Sequence, residues 1–431
     1  MKPQNLEEKV VWYYIIGTYL LYFLGAQHIS APAIAWLLVL YLGKKLWQQT
    51  DQTPVEDRVR IPLGVWVWAI SILFIELALV MGLSDFGADT FRIVKSSING
   101  FARTWALLAL FPLVGCLNIR FQLLSRAICI LCLQSLLIIP VLYLLSQLNL
   151  PGILYTSPLL KIGGIGPEYY NVGLYVMEST GRIRLQLFAP WSPAMGLVGN
   201  VCFVLASQEP DRKWRWIGMI GAIAMTLVSV SRLGLVCLFF VPIATYVLAR
   251  VSRPQMQIAA GVGSFFGGLF GFQLLSALRD FKNYFDSQRA RSSEIRELLG
   301  RIALYRWWND APIWGHGLKE RRGPELVVFK PIGSHHTWFG VLFTHGLVGF
   351  MALAIPFAWS FIELLLKAQT SKIAQAGLSV ILVLFLYSFG ENLESLAYVY
   401  WPGLVSIGLA LKEKRMAASL PSQPMGVGAL G

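Results

Sequence analysis

Charge is scarce in this chain: 14% of its 431 residues are Asp, Glu, Lys or Arg, against 56% hydrophobic, with a mean hydropathy of +0.59. That is too little polar surface to coat a soluble globule, so a polytopic membrane protein is expected. Cysteine is sparse as well. The five present (Cys116, Cys129, Cys132, Cys202, Cys237) all lie in apolar stretches and read as small packing residues, not a disulfide or metal set. A small-x-small cleavage site is missing after the first apolar run, Val10 to Gly25, which ends in Ala26-Gln27-His28; that run is expected to stay as a helix. Internal repeats and a separable soluble domain are also lacking.

What the chain has is long apolar runs. After the first come 29–47, 61–82, 101–118, 127–149, 188–206, 214–231, 232–249, 255–278, 336–362, 377–391 and 396–411, which predicts an all-α fold of about twelve membrane helices. The net charge of +13 belongs to that class, because Lys and Arg in short loops orient helices; a nucleic-acid partner would need them on one aqueous face. With a cytoplasmic N-terminus, every short inside loop is basic: Lys44, Lys45, Arg58 and Arg60, then Arg120 and Arg126, then Arg212, Lys213 and Arg215, then Arg250 and Arg253, then Lys367 and Lys372, then Lys412, Lys414 and Arg415. The opposite side receives two long segments, 150–187 and 279–335, so the functional face is expected to be extracytoplasmic, with both termini cytoplasmic. Residues 1–415 form one membrane domain and 416–431, rich in Pro and Gly, a disordered tail. The ninth helix carries Gly261, Gly263, Gly267, Gly268 and Gly271, a small-residue face expected to let another helix approach.

Four constellations are able to carry chemistry. Ser229-Val230-Ser231-Arg232 stands where two helices meet with almost no loop; Arg232 either snorkels to the interface or, beside two hydroxyls, binds an oxyanion. The segment from Arg279 to Ser334 holds eleven basic against seven acidic residues, with a helix plausible over Ser292 to Trp308. Most of those charges read as solvated helix faces, but one or two arginines suffice to grip a phosphate or pyrophosphate by two-point contacts. Third come Ala311-Pro312-Ile313-Trp314-Gly315-His316-Gly317, Gly333-Ser334-His335-His336-Thr337-Trp338 and Thr344-His345-Gly346-Leu347-Val348-Gly349, a window with four of the five histidines. Adjacent histidines ligate one metal poorly and lack a nearby carboxylate or thiol at ligand spacing, so a lone histidine acting as acid/base or hydrogen-bond donor is the simpler reading. Last, Arg182 and Arg184 precede the helix entry Leu185 to Pro193, and Glu391, Asn392 and Glu394 stand at the outer end of the last helix pair. These carboxylates suit sugar hydroxyls or arginines as well as capping.

Ser-x-Ser-Arg at a helix junction, an arginine-bearing segment leading into Pro-x-x-Gly-x-Gly, and a histidine eleven positions before Gly-Leu-x-Gly together resemble the O-antigen ligase and polymerase superfamily of bacterial envelopes, most specifically over 229–349. The resemblance implies a GT-C-type glycosyltransferase of the bacterial inner membrane. Its donor is a polyprenyl-diphosphate-linked glycan, its chemistry inverting, and it takes no metal or other cofactor. Carried over, Arg232 matches the arginine after the serine motif, Arg296 the loop arginine with Arg301 and Arg291 as alternatives, and His335 the family histidine; the family's following Asn is here His336. The implied mechanism clamps the diphosphate with Arg232 and Arg296, beside Ser231 and Arg184, while His335 or His336 engages the acceptor hydroxyl. Trp338, Trp307 and Trp308 are candidates for stacking on sugar faces, and Glu391 for sugar binding. The acceptor stays open: lipid A core, another lipid-linked glycan or a protein hydroxyl. The rival from another class is a lipid-linked-sugar flippase, which would place ionisable residues at the helix centres, where Glu76 is the main one present. A metal-dependent transferase would need outer-loop acids, for which Asp85 and Asp89 are the early candidates.

Overall fold

The computed structural model describes residues 1–54, 58–148, 150–163, 166–177, 181, 183–273, 275–277, 279–280, 290–320 and 323–413. The expected tail 416–431 and Arg182 lie outside them. The fold is a helical bundle: α1 Leu6–Ile16, α2 Thr18–Phe23, α3 Gln27–Gln48, α4 Leu63–Asp85, α5 Thr90–Ser96, a π-helix Ser97–Trp105, α6 Leu107–Gly115, α7 Phe121–Gln147, α8 Leu160–Gly163, α9 Ser192–Ser207, α10 Arg212–Val228, α11 Arg232–Leu248, α12 Pro254–Leu269, α13 Ala290–Asp310, α14 Thr337–Ala368, α15 Lys372–Tyr387 and α16 Leu393–Lys412.

Two helices form the centre. In α16 every residue from Leu393 to Leu411 is buried, and α9 is buried over most of its length. A helix that is apolar all round belongs inside, and α16 is enclosed by α6, α9 and α15. Among the described residues four helices, α3, α4, α7 and α14, are long and apolar enough to cross a membrane, or up to six if two bent pairs each count as one span. The sequence reading of about twelve spans is not reached by that measure. The runs at 188–206, 232–249 and 377–391 form apolar helices of 16 to 17 residues, about 25 Å at 1.5 Å per residue and short of a ~30 Å hydrocarbon core.

Several expected helices are broken. The first run splits at Gly17 into α1 and α2. The run at 101–118 is part π-helix and part α6, bent by 45°. The run at 336–362 extends to Ala368 but is interrupted at Gly346, whose φ of 61° and ψ of −159° no helix contains. There the Pro-x-x-Gly-x-Gly segment fills the gap: Leu347 and Val348 donate to the carbonyls of Pro312 and Ile313 at 2.9 and 3.2 Å, and His316 and Gly317 donate to those of Phe343 and Thr344 at 2.9 and 2.7 Å. Two distant glycine motifs thus become one junction in which the broken helix recovers its backbone bonds. A Cβ on Gly346 would lie 2.2 Å from the Ile313 carbonyl oxygen.

The glycine face of α12 meets no other helix among the described residues. A Cβ on Gly261, Gly263, Gly267 or Gly268 would touch nothing within 4 Å, and α12 has no buried residue. The 150–187 segment, by contrast, is docked on the bundle. Its ribbons pair β1 (Ile153–Thr156) with β2 (Asn171–Gly173) and β3 (Val176–Met177) with β4 (Ile183–Arg184). The Tyr22 hydroxyl closes on Gly173, donating to its O at 2.7 Å and accepting from its N at 2.8 Å.

One end of the bundle gathers the basic residues assigned to inside loops: Lys45 pairs with Glu7 at 2.6 Å, Arg120 with Glu8 at 2.7 Å, and Lys412 donates to the Cys116 carbonyl at 3.0 Å. The His335 and Glu391 segments stand at the opposite ends of α14 and α16.

Candidate functional site

The site is built on two turns stitched together, 331–337 before α14 and 388–392 before α16. Thr337 N donates to Ser388 O at 2.8 Å, Thr337 Oγ1 to Glu391 O at 2.7 Å, and Leu393 N to Thr337 Oγ1 at 3.1 Å. Asn392 completes the seam: its Oδ1 accepts from His335 N at 2.5 Å and its Nδ2 donates to Gly333 O at 3.2 Å. These bonds hold His335 at a φ of 65°, a conformation uncommon for a residue with a Cβ.

α13 lies over this seam on a small core of Leu299, Ala303, Val327, Ile332 and Phe343. Gly300 permits the approach, since a Cβ there would come 2.8 Å from the Phe339 ring. The helix presents exposed Arg296 to the seam, where its charge acts on His335, Lys330 and Glu391. Burial first, then the charges of Lys330, Arg296 and Lys319, hold the His335 imidazole down at about 3, so it is neutral at pH 7. Burial and the Arg296 charge also lower the Lys330 ammonium. Glu391 is 4% exposed. Desolvation pushes its carboxyl up to about 7 against the opposing pull of Arg296, the Trp191 hydrogen bond and Lys330; Trp191 Nε1 donates to its Oε2 at 2.9 Å. Lys319 pairs with buried Glu394 at 2.6 Å, whereas among the described residues neither Arg296 nor Lys330 forms an ion pair. Two cations that form no ion pair among the described residues therefore face a neutral histidine and a carboxyl that is only partly ionised at pH 7. Such a place attracts an anion with at least two charges.

The serine-arginine corner abuts the same turn. Ser231 caps α11 by accepting from Gly234 N at 3.1 Å, after Val230 at a φ of 49°. Arg184 donates to the Val230 carbonyl at 3.2 Å, and Leu185 N to Val228 O at 3.1 Å. Leu233 packs on the turn at Gly390, where a Cβ would lie 3.1 Å from its Cδ2, and Gly234 faces the Tyr387 hydroxyl. Arg232 is half-buried at the first position of α11.

Other sequence candidates stand elsewhere. His336 caps α14, its Nδ1 accepting from Phe339 N at 3.3 Å and its ring stacked on Phe339 at 3.9 Å, and burial holds it down at about 4. Trp338 is a packing residue, bonded to Ser388 Oγ at 2.7 Å and set against Phe350 and Phe357. Arg301 pairs with Glu297 at 2.7 Å on the exposed face of α13, with 76% of its side chain open. Trp307 bonds the Pro312 carbonyl at 2.9 Å while Trp308 is exposed. Asp89 caps α5 by accepting from Arg92 N at 3.2 Å. The side chain of Arg291 lies outside the described residues. Lys319, Lys330 and Trp191 join the site without having been singled out. The available signals were the position of Lys330 five residues before His335 and that of Lys319 two after Gly317.

Neither a protein-family model nor a curated protein matches this chain.

Proposed function

We propose that this chain is a bacterial inner-membrane glycosyltransferase that moves a polyprenyl-diphosphate-linked glycan onto an acceptor hydroxyl during surface-polysaccharide synthesis, as a ligase or polymerase. The observation that carries the reading is the gathering of Arg296, Lys330 and Lys319 around His335, with two of the three cations forming no ion pair among the described residues. A diphosphate at the membrane surface meets that demand, and its lipid tail stays in the bilayer. Arg296 and Lys330 bind the diphosphate and stabilise the charge that grows as it leaves C1, with Arg232 and Ser231 at the adjoining corner. His335 orients the acceptor hydroxyl for a single displacement with inversion. In this reading the shorter apolar helices α9, α11 and α15, together with α10, α16 and the α1–α2 pair, also cross the membrane, giving about twelve spans in all. The basic end of the bundle is cytoplasmic and the His335 end faces outward.

The test is the surface-polysaccharide profile and lipid-linked precursor pool of cells carrying Arg296→Ala or His335→Ala, each checked for membrane expression. Loss of long glycan with precursor accumulating on the outer leaflet is expected. Normal glycan in both variants would overturn the reading, and precursor trapped on the inner leaflet would replace it with a flippase.

A further inference from the structure

Among the described residues Glu391 is the one carboxyl group buried beside the cation cluster that forms no ion pair, and the transfer as described leaves the acceptor's proton without a destination. His335 is a poor recipient among three positive charges. The carboxyl of Glu391 is anchored at one oxygen only: Oε2 accepts from Trp191 Nε1 at 2.9 Å, and among the described residues no hydrogen bond reaches Oε1. Its backbone is fixed from both sides, with its N–H donating to Tyr387 O at 2.9 Å and its carbonyl accepting from Thr337 Oγ1 at 2.7 Å. The main chain that carries the carboxyl therefore cannot move away without breaking the seam that also holds His335.

Resting on the glycan-transfer reading above, we propose that Glu391 is the general base of the reaction. The acceptor oxygen bonds to C1 of the donor glycan, and the bond from C1 to the diphosphate oxygen breaks with its electron pair going to the diphosphate. The acceptor proton passes to Glu391 Oε1. Arg296 and Lys330 then serve two ends: they hold the leaving diphosphate and keep enough of the buried carboxyl ionised to act. Without them desolvation alone would leave it protonated, and with its level at about 7 it is matched to a neutral medium. The charged and titratable groups facing it are Arg296 on α13, Lys330 before α14, Tyr387 at the end of α15 and Tyr169 of the 150–187 segment.

The experiment uses the full-length protein in lipid nanodiscs with the lipid-linked glycan pool extracted from cells lacking this chain, and follows release of polyprenyl diphosphate from pH 5.5 to 9. Glu391→Gln keeps an acceptor for Trp191 but cannot take a proton; its turnover is expected to fall at least about a hundredfold, with binding of added undecaprenyl diphosphate retained. Trp191→Phe removes the donor that favours the carboxylate, so the acid limb of the pH profile is expected to move to higher pH. Wild-type protein inactive on that pool would overturn the transfer reading itself. Active wild type, with Glu391→Gln within about threefold of it or with an acid limb unmoved in Trp191→Phe, would overturn the role of Glu391 alone. A Glu391→Gln protein that fails to accumulate leaves the decision to the Trp191→Phe profile.

Discussion

The backbone N–H of His335 donates to Oδ1 of Asn392 at 2.5 Å, which ties the site histidine to the turn that carries Glu391. Asn392 also donates to Gly333 O, so truncating it strands two backbone groups at once. We predict that Asn392→Ala costs about 1–3 kcal/mol, the penalty for unmade hydrogen bonds at a buried site, and lets His335 relax from its positive φ. Thermal unfolding in detergent and glycan output should both fall. Wild-type values for the two together would show that the seam does not position the histidine.

Arg296 and Arg301 are five residues apart on α13 and provide a contrast. Arg301 is exposed and paired with Glu297, an arrangement worth about 0.3–0.5 kcal/mol, so Arg301→Ala is expected to leave glycan output close to wild type. Arg296→Ala removes a charge that acts on both His335 and Glu391 and should abolish long glycan. Equal phenotypes in a gel profile of surface polysaccharide would contradict this assignment.

The junction at Gly346 predicts a steep stability effect. Alanine there meets the Ile313 carbonyl at 2.2 Å in a backbone region closed to side chains, whereas alanine at Gly261 or Gly43 meets nothing. Gly346→Ala is expected to accumulate poorly in membranes and unfold early. The two control substitutions should be neutral or gain up to about 1 kcal/mol through helix propensity. Normal accumulation of Gly346→Ala would mean that the glycine conformation is not required.

The site groups predict opposed pH slopes. His335 and His336 sit below their ordinary 6.5, at about 3 and about 4. The unfolded chain therefore binds more protons as pH falls below 6.5, and their contribution to stability, present above that pH, is lost on the way down. Glu391 sits above its ordinary 4.5, at about 7. Its contribution is complete below 4.5 and is lost as pH rises through 7. His335→Gln should consequently flatten the acid-side fall in unfolding temperature, and Glu391→Gln should gain on wild type between pH 5 and 8. Parallel curves for wild type and both variants would refute these assignments.

The motifs of the site were legible in the sequence as local patterns, but their partners were not. Pro312 to Gly317 and Gly346 to Gly349 each stand out by glycine spacing, yet nothing periodic announces that one fills the helix break of the other; that is a non-local backbone pairing. The helix expected over Ser292 to Trp308 forms as α13, and Glu391 was visible as an acid at a helix end. Lys319 and Lys330 were hidden among eleven loop cations, because convergence on His335 depends on how that loop folds over the seam. The glycine face of α12 suggested close packing, but within the chain a small-residue stripe has an effect only where a partner helix exists.

Lys319 and Glu394 offer the last test, because their pairing decides how many cations the site has to spare. Glu394 is 4% exposed and its Oε2 accepts no hydrogen bond, so the Lys319 ammonium at 2.6 Å from Oε1 is its main compensation. Breaking a buried pair by removing one partner strands a charge, and Lys319→Met is expected to cost about 3 kcal/mol, the lower part of the usual range because the lysine side chain is 34% exposed. Adding Glu394→Gln should recover most of that loss, since the double variant leaves no buried charge behind. Transfer activity should return with stability if Arg296 and Lys330 suffice to hold the diphosphate. Should stability return while activity stays lost, as read by unfolding temperature and precursor release on the same preparations, Lys319 would belong to the anion-binding set in its own right.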